Sequence, residues 1–254
     1  MAYVLETQEI SMHFGGVRAV DGISAQVEPT EIFGIIGPNG SGKSTLINVL
    51  TGVYRPTHGQ VRFLGEEITG MKPHKIAGRG IARTFQNLRL FHDMTVLDNA
   101  IIGQHICLQT AGWQAMLGTK KYRESECHAR ERAMEILELV GLEKIAGEIA
   151  ADMAYGQQKR LELARALVSE PRLCLLDEPA AGLNSKEAMA MMALIKRIRE
   201  KKGITFILIE HNMEAMMSTA DRIMVMDAGK KIAEDVPEVI KNDPNVIRVY
   251  LGKE

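Results

Sequence analysis

The rhythm of apolar and polar positions changes twice along the chain. Early on, short apolar stretches at 4–10, 17–20, 23–27, 31–36 and 60–64 are separated by turn residues such as Gly15, Gly16, Pro29 and Thr30. That is the pattern of antiparallel strands joined by tight connections. The stretch 31–36 differs, because it runs into a glycine-rich segment and then a helical pattern from Lys43, the strand–loop–helix start of a βα unit. From about 87 to 153 the apolar spacing becomes three and four. Residues 95–107 and 124–140 read as helices, the second with Ala133, Ile136, Leu137 and Val140 on one face, and 109–121 reads as a loop between them. This span is expected to be an inserted helical subdomain. The rest alternates: helix 156–168, strand 173–176, helix 185–202, strand 204–209, helix 212–219, strand 222–226. Such alternation predicts a parallel sheet covered by helices.

Composition narrows the class without naming it. With 254 residues, 46% of them apolar and 25% charged, the chain is an ordinary globular protein able to bury a large core. Its 31 Lys and Arg against 32 Asp and Glu give no electrostatic case for nucleic acid as a partner. Cys107, Cys127 and Cys174 are odd in number and too few for a disulfide framework, so reduced thiols are expected. The first residues lack the basic flank and apolar stretch of a signal peptide, and no apolar run approaches the ~20 residues that span a bilayer. No transmembrane segment is expected.

Candidate chemistry begins in the glycine-rich segment. Gly37, Pro38, Asn39, Gly40, Ser41, Gly42, Lys43, Ser44 and Thr45 match G-x-x-x-x-G-K-[ST]. Small residues let successive backbone N–H groups curl around a phosphate, with the positive end of the following helix aimed at it. Lys43 would reach the outer phosphates of a nucleotide and the Ser44 hydroxyl would ligate Mg²⁺. A second candidate is LCLLDE at 173–178, an apolar strand ending in two carboxylates. In open α/β sheets such strand ends form the ligand crevice. Asp177 can hold Mg²⁺ through water, an ion that keeps several of its waters. Glu178 can take a proton from an attacking water.

Together with Gln86, the segment MAYGQQ at 153–158, and His211 just after a strand, these motifs resemble the nucleotide-binding subunit of an ABC transporter. The likeness covers nearly the whole chain. It implies one ABC-type domain over 1–254, an α/β P-loop NTPase with a RecA-like core, an antiparallel β subdomain and a helical subdomain inserted at about 87–160. It also implies residue roles. Phe14 would stack on adenine, with Val20 nearby. Gln86 would touch Mg²⁺ and the attacking water, and His211 would sense the γ-phosphate. Ala154, Tyr155, Gly156 and Gln157 would contact ATP held by a second ATP-binding subunit, alike or different. The signature departs from the common Leu-Ser-Gly-Gly-Gln, since Ala154 replaces a serine and Tyr155 a glycine. Ala181, Gly182, Leu183 and Asn184 stand at the D-loop and end in an amide where a carboxylate is usual.

The segments MHFGG, RTFQNLRLF, MAYGQQKRLE, DEPAAGLN and the tail NDPNVIRVYLG are similar to one ATPase subunit of branched-chain amino acid importers. Related systems of this look carry urea, amides or other amino acids. The implied machine hydrolyses ATP with Mg²⁺ at the cytoplasmic face of the plasma membrane. Two integral-membrane permease subunits would dock near 86–98, and an extracytoplasmic solute-binding protein would deliver cargo. A soluble ABC ATPase is the rival reading, but this chain carries neither a second fused ATPase unit nor a long coiled-coil insert. A P-loop GTPase is disfavoured by the absence of Asn-Lys-x-Asp.

Overall fold

The computed structural model describes residues 3–84, 88–104 and 120–251. They divide into two compact units, Met1–Arg83 with Arg172–Glu254, and Thr84–Pro171. The expected helical insert falls within the second.

The first unit carries two sheets. One is antiparallel, with β2 (Val17–Val27) beside β1 (Leu5–Phe14), then β4 (His58–Phe63) and β5 (Glu66–Glu67). The separate strands expected at 17–20 and 23–27 are one strand. Asp21 and Gly22 interrupt the apolar pattern, but irregularities in the β1–β2 register absorb them, and the Gly22 N–H donates to the Ser11 hydroxyl at 2.9 Å.

The other sheet has the order β10-β9-β3-β8-β7-β6, where β3 is Ile32–Ile36, β6 Ile81–Arg83, β7 Leu173–Asp177, β8 Thr205–Ile209, β9 Arg222–Asp227 and β10 Lys230–Asp235. The inner pairs are parallel, and β10 alone runs antiparallel, against β9 at the edge. Every residue of β3, β7 and β8 is buried, which explains why these strands read as continuous apolar runs instead of alternating ones. Their side chains join those of β1, β2, β4 and helix α1 (Lys43–Leu50) in one hydrophobic core.

Other elements of this unit sharpen the expectations. Helix α2 (Pro73–Ala77), β6 and β10 had no strong sequence signal. β10 reads KKIAED, polar because its outer edge faces solvent.

The second unit is built on helices α3 (Val96–Ile102), α4 (Lys120–Val140) and α5 (Tyr155–Leu167). Thr95 caps α3 by accepting from the Asp98 N–H, at the start of the expected 95–107 helix; α3 closes at Gly103, and residues 105–107 of that expectation lie outside the described residues. Ala133, Ile136, Leu137 and Val140 of α4 are all buried, as their spacing predicts. The α4 helix begins at Lys120, inside the expected loop 109–121, and residues 109–119 of that loop lie outside the described residues. Asn99 is fully buried in α3, and its amide is tied to both the N–H and the carbonyl of Phe91.

The chain continues in the first unit with α6 (Ser185–Lys202), α7 (Met213–Met217), α8 (Pro237–Asn242) and α9 (Pro244–Leu251). The bounds of α6 coincide with those predicted. Asn184 accepts from the Glu187 N–H, and Glu187 accepts from the Asn184 N–H, a complete capping box. Gly203 closes the helix at φ 66°.

Candidate functional site

Three loops meet at the carboxyl ends of neighbouring parallel strands. β3 runs into the glycine-rich loop, β7 ends in Asp177 and Glu178, and β8 leads to His211. In the sheet β8 lies between β3 and β7, so the first two loops start about 10 Å apart, two strand spacings. Ligand crevices of open α/β sheets form in this position.

The loop's shape depends on its glycines. Gly37 has φ 153° and Gly42 φ 101°, values that disfavour L side chains. A β-carbon at Gly37 would run into the Met226 carbonyl, and one at Gly42 into the Ala19 carbonyl. The loop therefore lies directly against the β9 end and the β2 strand. Gly42 is the N-cap of α1, which offers no side chain to the first N–H groups of that helix and leaves them available to an anion. Asn39, Gly40 and Ser44 are exposed, Pro38 and Thr45 half-buried, and Ser41 buried.

Lys43 is 6% exposed. Its ammonium donates to the carbonyls of Gly37 at 2.8 Å and Pro38 at 2.9 Å, and to the Ser41 hydroxyl at 3.4 Å. Burial pushes its pKa down, while the charges of Glu178 and Asp177 pull it back up. Lys43 and the two carboxylates thus feel one another's charge although Lys43 opens α1 and the carboxylates lie at the end of β7.

Asp177 is 4% exposed. Desolvation pushes its carboxyl above the usual range, and Arg83 is the strongest opposing influence. Glu178, next along, takes φ 54°, an unusual conformation for a non-glycine residue, and its N–H is held by the Ile209 carbonyl at 3.0 Å. This turn carries its side chain to His211, whose Nε2–H donates to Glu178 Oε1 at 2.7 Å. The geometry therefore brings together Lys43, Asp177, Glu178 and His211. Gln86 lies outside the described residues.

Phe14 stands exposed at the end of β1, edge-on to the Tyr54 ring at 5.3 Å. Val20 does not share that exposure. It is fully buried in the core, so in this arrangement it presents no surface to a nucleotide. In the second unit, Ala154 is the N-cap residue of α5, with Tyr155 exposed and Gly156 and Gln157 half-buried. Ala154 has no side-chain oxygen, but the Gln157 Oε1 accepts from the Ala154 N–H at 3.0 Å, so half of a capping box survives.

Three contacts near the loops escape a reading of the sequence, although Arg83 opens the RTFQNLRLF segment. Arg83 bonds Asp177 from the end of β6. Glu210, 3% exposed, accepts from the Ala180 N–H at 2.7 Å and thereby joins the His211 loop to the loop leading into α6. Burial pushes its carboxyl above the usual range. Tyr250 of α9 brings its phenol beside the Gly37 backbone, and desolvation raises its pKa to about 12. The tail motif signalled that 250 belongs to a recognisable segment, but not that it reaches the phosphate loop.

Comparison with known proteins agrees with this geometry. Residues 20–181 match the ABC transporter family model, and 230–254 match the model described as branched-chain amino acid ATP-binding cassette transporter. The chain is 46% identical over 250 residues to the high-affinity branched-chain amino acid transport ATP-binding protein BraF of Pseudomonas aeruginosa, covering 98% of each. It is 42% identical over 250 residues to LivG of Escherichia coli, again covering 98% of each. The ADP conformation of an ATP-binding cassette of an ABC transporter superimposes with a TM-score of 0.85 at 33% identity, over 100% of both chains. The chain belongs to the ABC transporter family, as an ATP-binding cassette of its branched-chain amino acid branch.

Proposed function

We propose that this chain is the ATP-hydrolysing subunit of an importer of branched-chain amino acids. The observation that carries the chemistry is the 2.7 Å contact between Glu178 and His211 at the strand ends beside the phosphate loop. The choice of cargo rests on the relatives' names and the tail match.

In this reading the N–H groups of the loop and of α1 hold the phosphates. Lys43 exchanges its bonds to the Gly37 and Pro38 carbonyls for charge-assisted bonds to the outer phosphates. Phe14 offers its exposed ring to adenine. Ser44 and Asp177 form an oxygen-only donor set, which suits Mg²⁺. Among the described residues no cluster of three or more His, Cys, Asp or Glu side chains could hold a metal alone, in keeping with an ion that arrives on the nucleotide. When bound, Mg²⁺ would neutralise charge on the phosphates. Glu178 takes a proton from the attacking water, and His211 fixes the orientation of its carboxylate. Ala154, Tyr155, Gly156 and Gln157 contact nucleotide on a second ATP-binding subunit through the positive end of α5.

Among the described residues no helix is long and apolar enough to cross a membrane, so translocation falls to separate permease subunits. The test is copurification from membranes with a tagged chain. Permease subunits, together with a solute-binding protein that binds leucine, isoleucine or valine, are the expected companions. Recovery without any integral-membrane partner would overturn the transporter reading, and a binding protein selective for urea or amides would overturn the cargo.

A further inference from the structure

Arg83 sits at the end of edge strand β6, paired in parallel with β7 opposite Leu175. Its guanidinium is mostly buried and spans three elements. Nη2 donates to Asp177 Oδ2 at 3.2 Å, while Nη1 donates to Asn48 Oδ1 at 2.6 Å and to Thr51 Oγ1 at 3.3 Å. Asn48 lies on α1 and Thr51 is its C-cap residue, three positions on, so both lie on the side of the helix turned toward Arg83. The Thr51 hydroxyl donates its own proton to the Ile47 carbonyl at 2.8 Å, which leaves its oxygen to serve as acceptor for the guanidinium.

We infer that Arg83 is the positioning residue for the Asp177 carboxylate, locking it against the helix that begins at the phosphate loop. A carboxylate on a short side chain can rotate about its Cβ–Cγ bond, and gripping one oxygen stops that rotation. A planar guanidinium can hold Asp177 and α1 together, whereas an ammonium is a point charge without that fork. The helix that follows the phosphates and the carboxylate that would serve Mg²⁺ thus keep one spacing before nucleotide arrives. The inference rests on the reading that Asp177 serves Mg²⁺–ATP, and it gives a role to Arg83, the first residue of RTFQNLRLF, to which the resemblance assigns none.

Binding of a fluorescent ATP analogue to the full chain, in excess Mg²⁺ and in EDTA, separates the possibilities. In wild type, Mg²⁺ is expected to tighten binding. In Arg83→Gln that Mg²⁺-dependent gain should shrink by roughly 10–100-fold, the range seen when partners of metal-holding groups are removed. Affinity in EDTA should change by less than about threefold, because the loop N–H groups and Lys43 are untouched. A merely structural Arg83 would lower the melting midpoint and weaken both affinities alike, and an undiminished gain in Arg83→Gln overturns the inference. Should that variant fail to fold, Asn48→Ala removes the 2.6 Å partner without touching Asp177 and should diminish the gain in the same direction. An undiminished gain there likewise overturns it. A wild type that binds no nucleotide in either buffer would instead sink the ATP-binding reading itself.

Discussion

Glu178 shows how a single residue acquires a role through its backbone. Its φ of 54° turns the side chain out of the strand direction and into contact with His211. Glu178→Gln keeps the shape and loses the proposed base, so turnover in the assembled transporter should fall by ~10²–10⁴-fold with ATP binding intact. A steady-state phosphate-release assay beside a nucleotide-binding isotherm checks this, and a near-normal rate would remove Glu178 from the mechanism. Cys174 makes the opposite case. It lies fully buried in β7, and desolvation pushes its thiol from 9.0 up to about 12. In the native protein near pH 8 it should resist alkylation while exposed Cys127 reacts, as peptide mapping by mass spectrometry would show. The sign for stability follows. The unfolded thiol ionises first, so Cys174 favours unfolding increasingly as pH rises from about 9 toward 12.

The departures of this chain from the usual motifs fall at helix ends. At the D-loop, Asn184 replaces the common carboxylate yet caps α6 in a full capping box. Asn and Asp are near-equal caps, so Asn184→Asp should be nearly neutral and Asn184→Ala should cost ~1 kcal/mol in denaturant unfolding. At the signature, Ala154 leaves the α5 cap half made. Ala154→Ser would restore the missing acceptor and is expected to stabilise the protein by about 0.5–2 kcal/mol, read as a higher urea midpoint. If turnover of the complex is unchanged in the same variant, the absent hydroxyl is immaterial to catalysis. Element boundaries were legible where burial dictated composition. The β3, β7 and β8 strands are apolar throughout because both faces are covered. The three residues of β6 and the polar β10 carry too little pattern for that.

At the scale of the molecule, segments far apart in sequence meet at the phosphate loop. The Ala19 carbonyl of β2 packs against Gly42, and α9 brings Tyr250 beside the Gly37 backbone. Tyr250→Phe removes the phenol hydroxyl while keeping the ring. With that hydroxyl bracing the loop, amide exchange at Gly37 is expected to accelerate in the variant by about 5–10-fold, the effect of a contact worth roughly 1 kcal/mol. Unchanged exchange there would mean that α9 does not brace the loop. Because the tail segment is the one matched by the branched-chain amino acid family model, this variant also asks what that segment does for the nucleotide site.

The sequence by itself determined the class of chemistry. A loop of small residues that wraps a phosphate, and a buried strand ending in carboxylates, are local requirements, written in consecutive residues. The alternation of apolar strands and helices likewise announced the parallel sheet. Only the tertiary structure decided what lies beside these motifs. Arg83 is 94 positions from Asp177 and 35 from Asn48, and Glu210 is 30 from Ala180. The burial of Val20 and the reach of Tyr250 belong to the same level. Such pairs are set by strand order and by which groups must be satisfied once buried, and neither leaves a periodic trace along the chain.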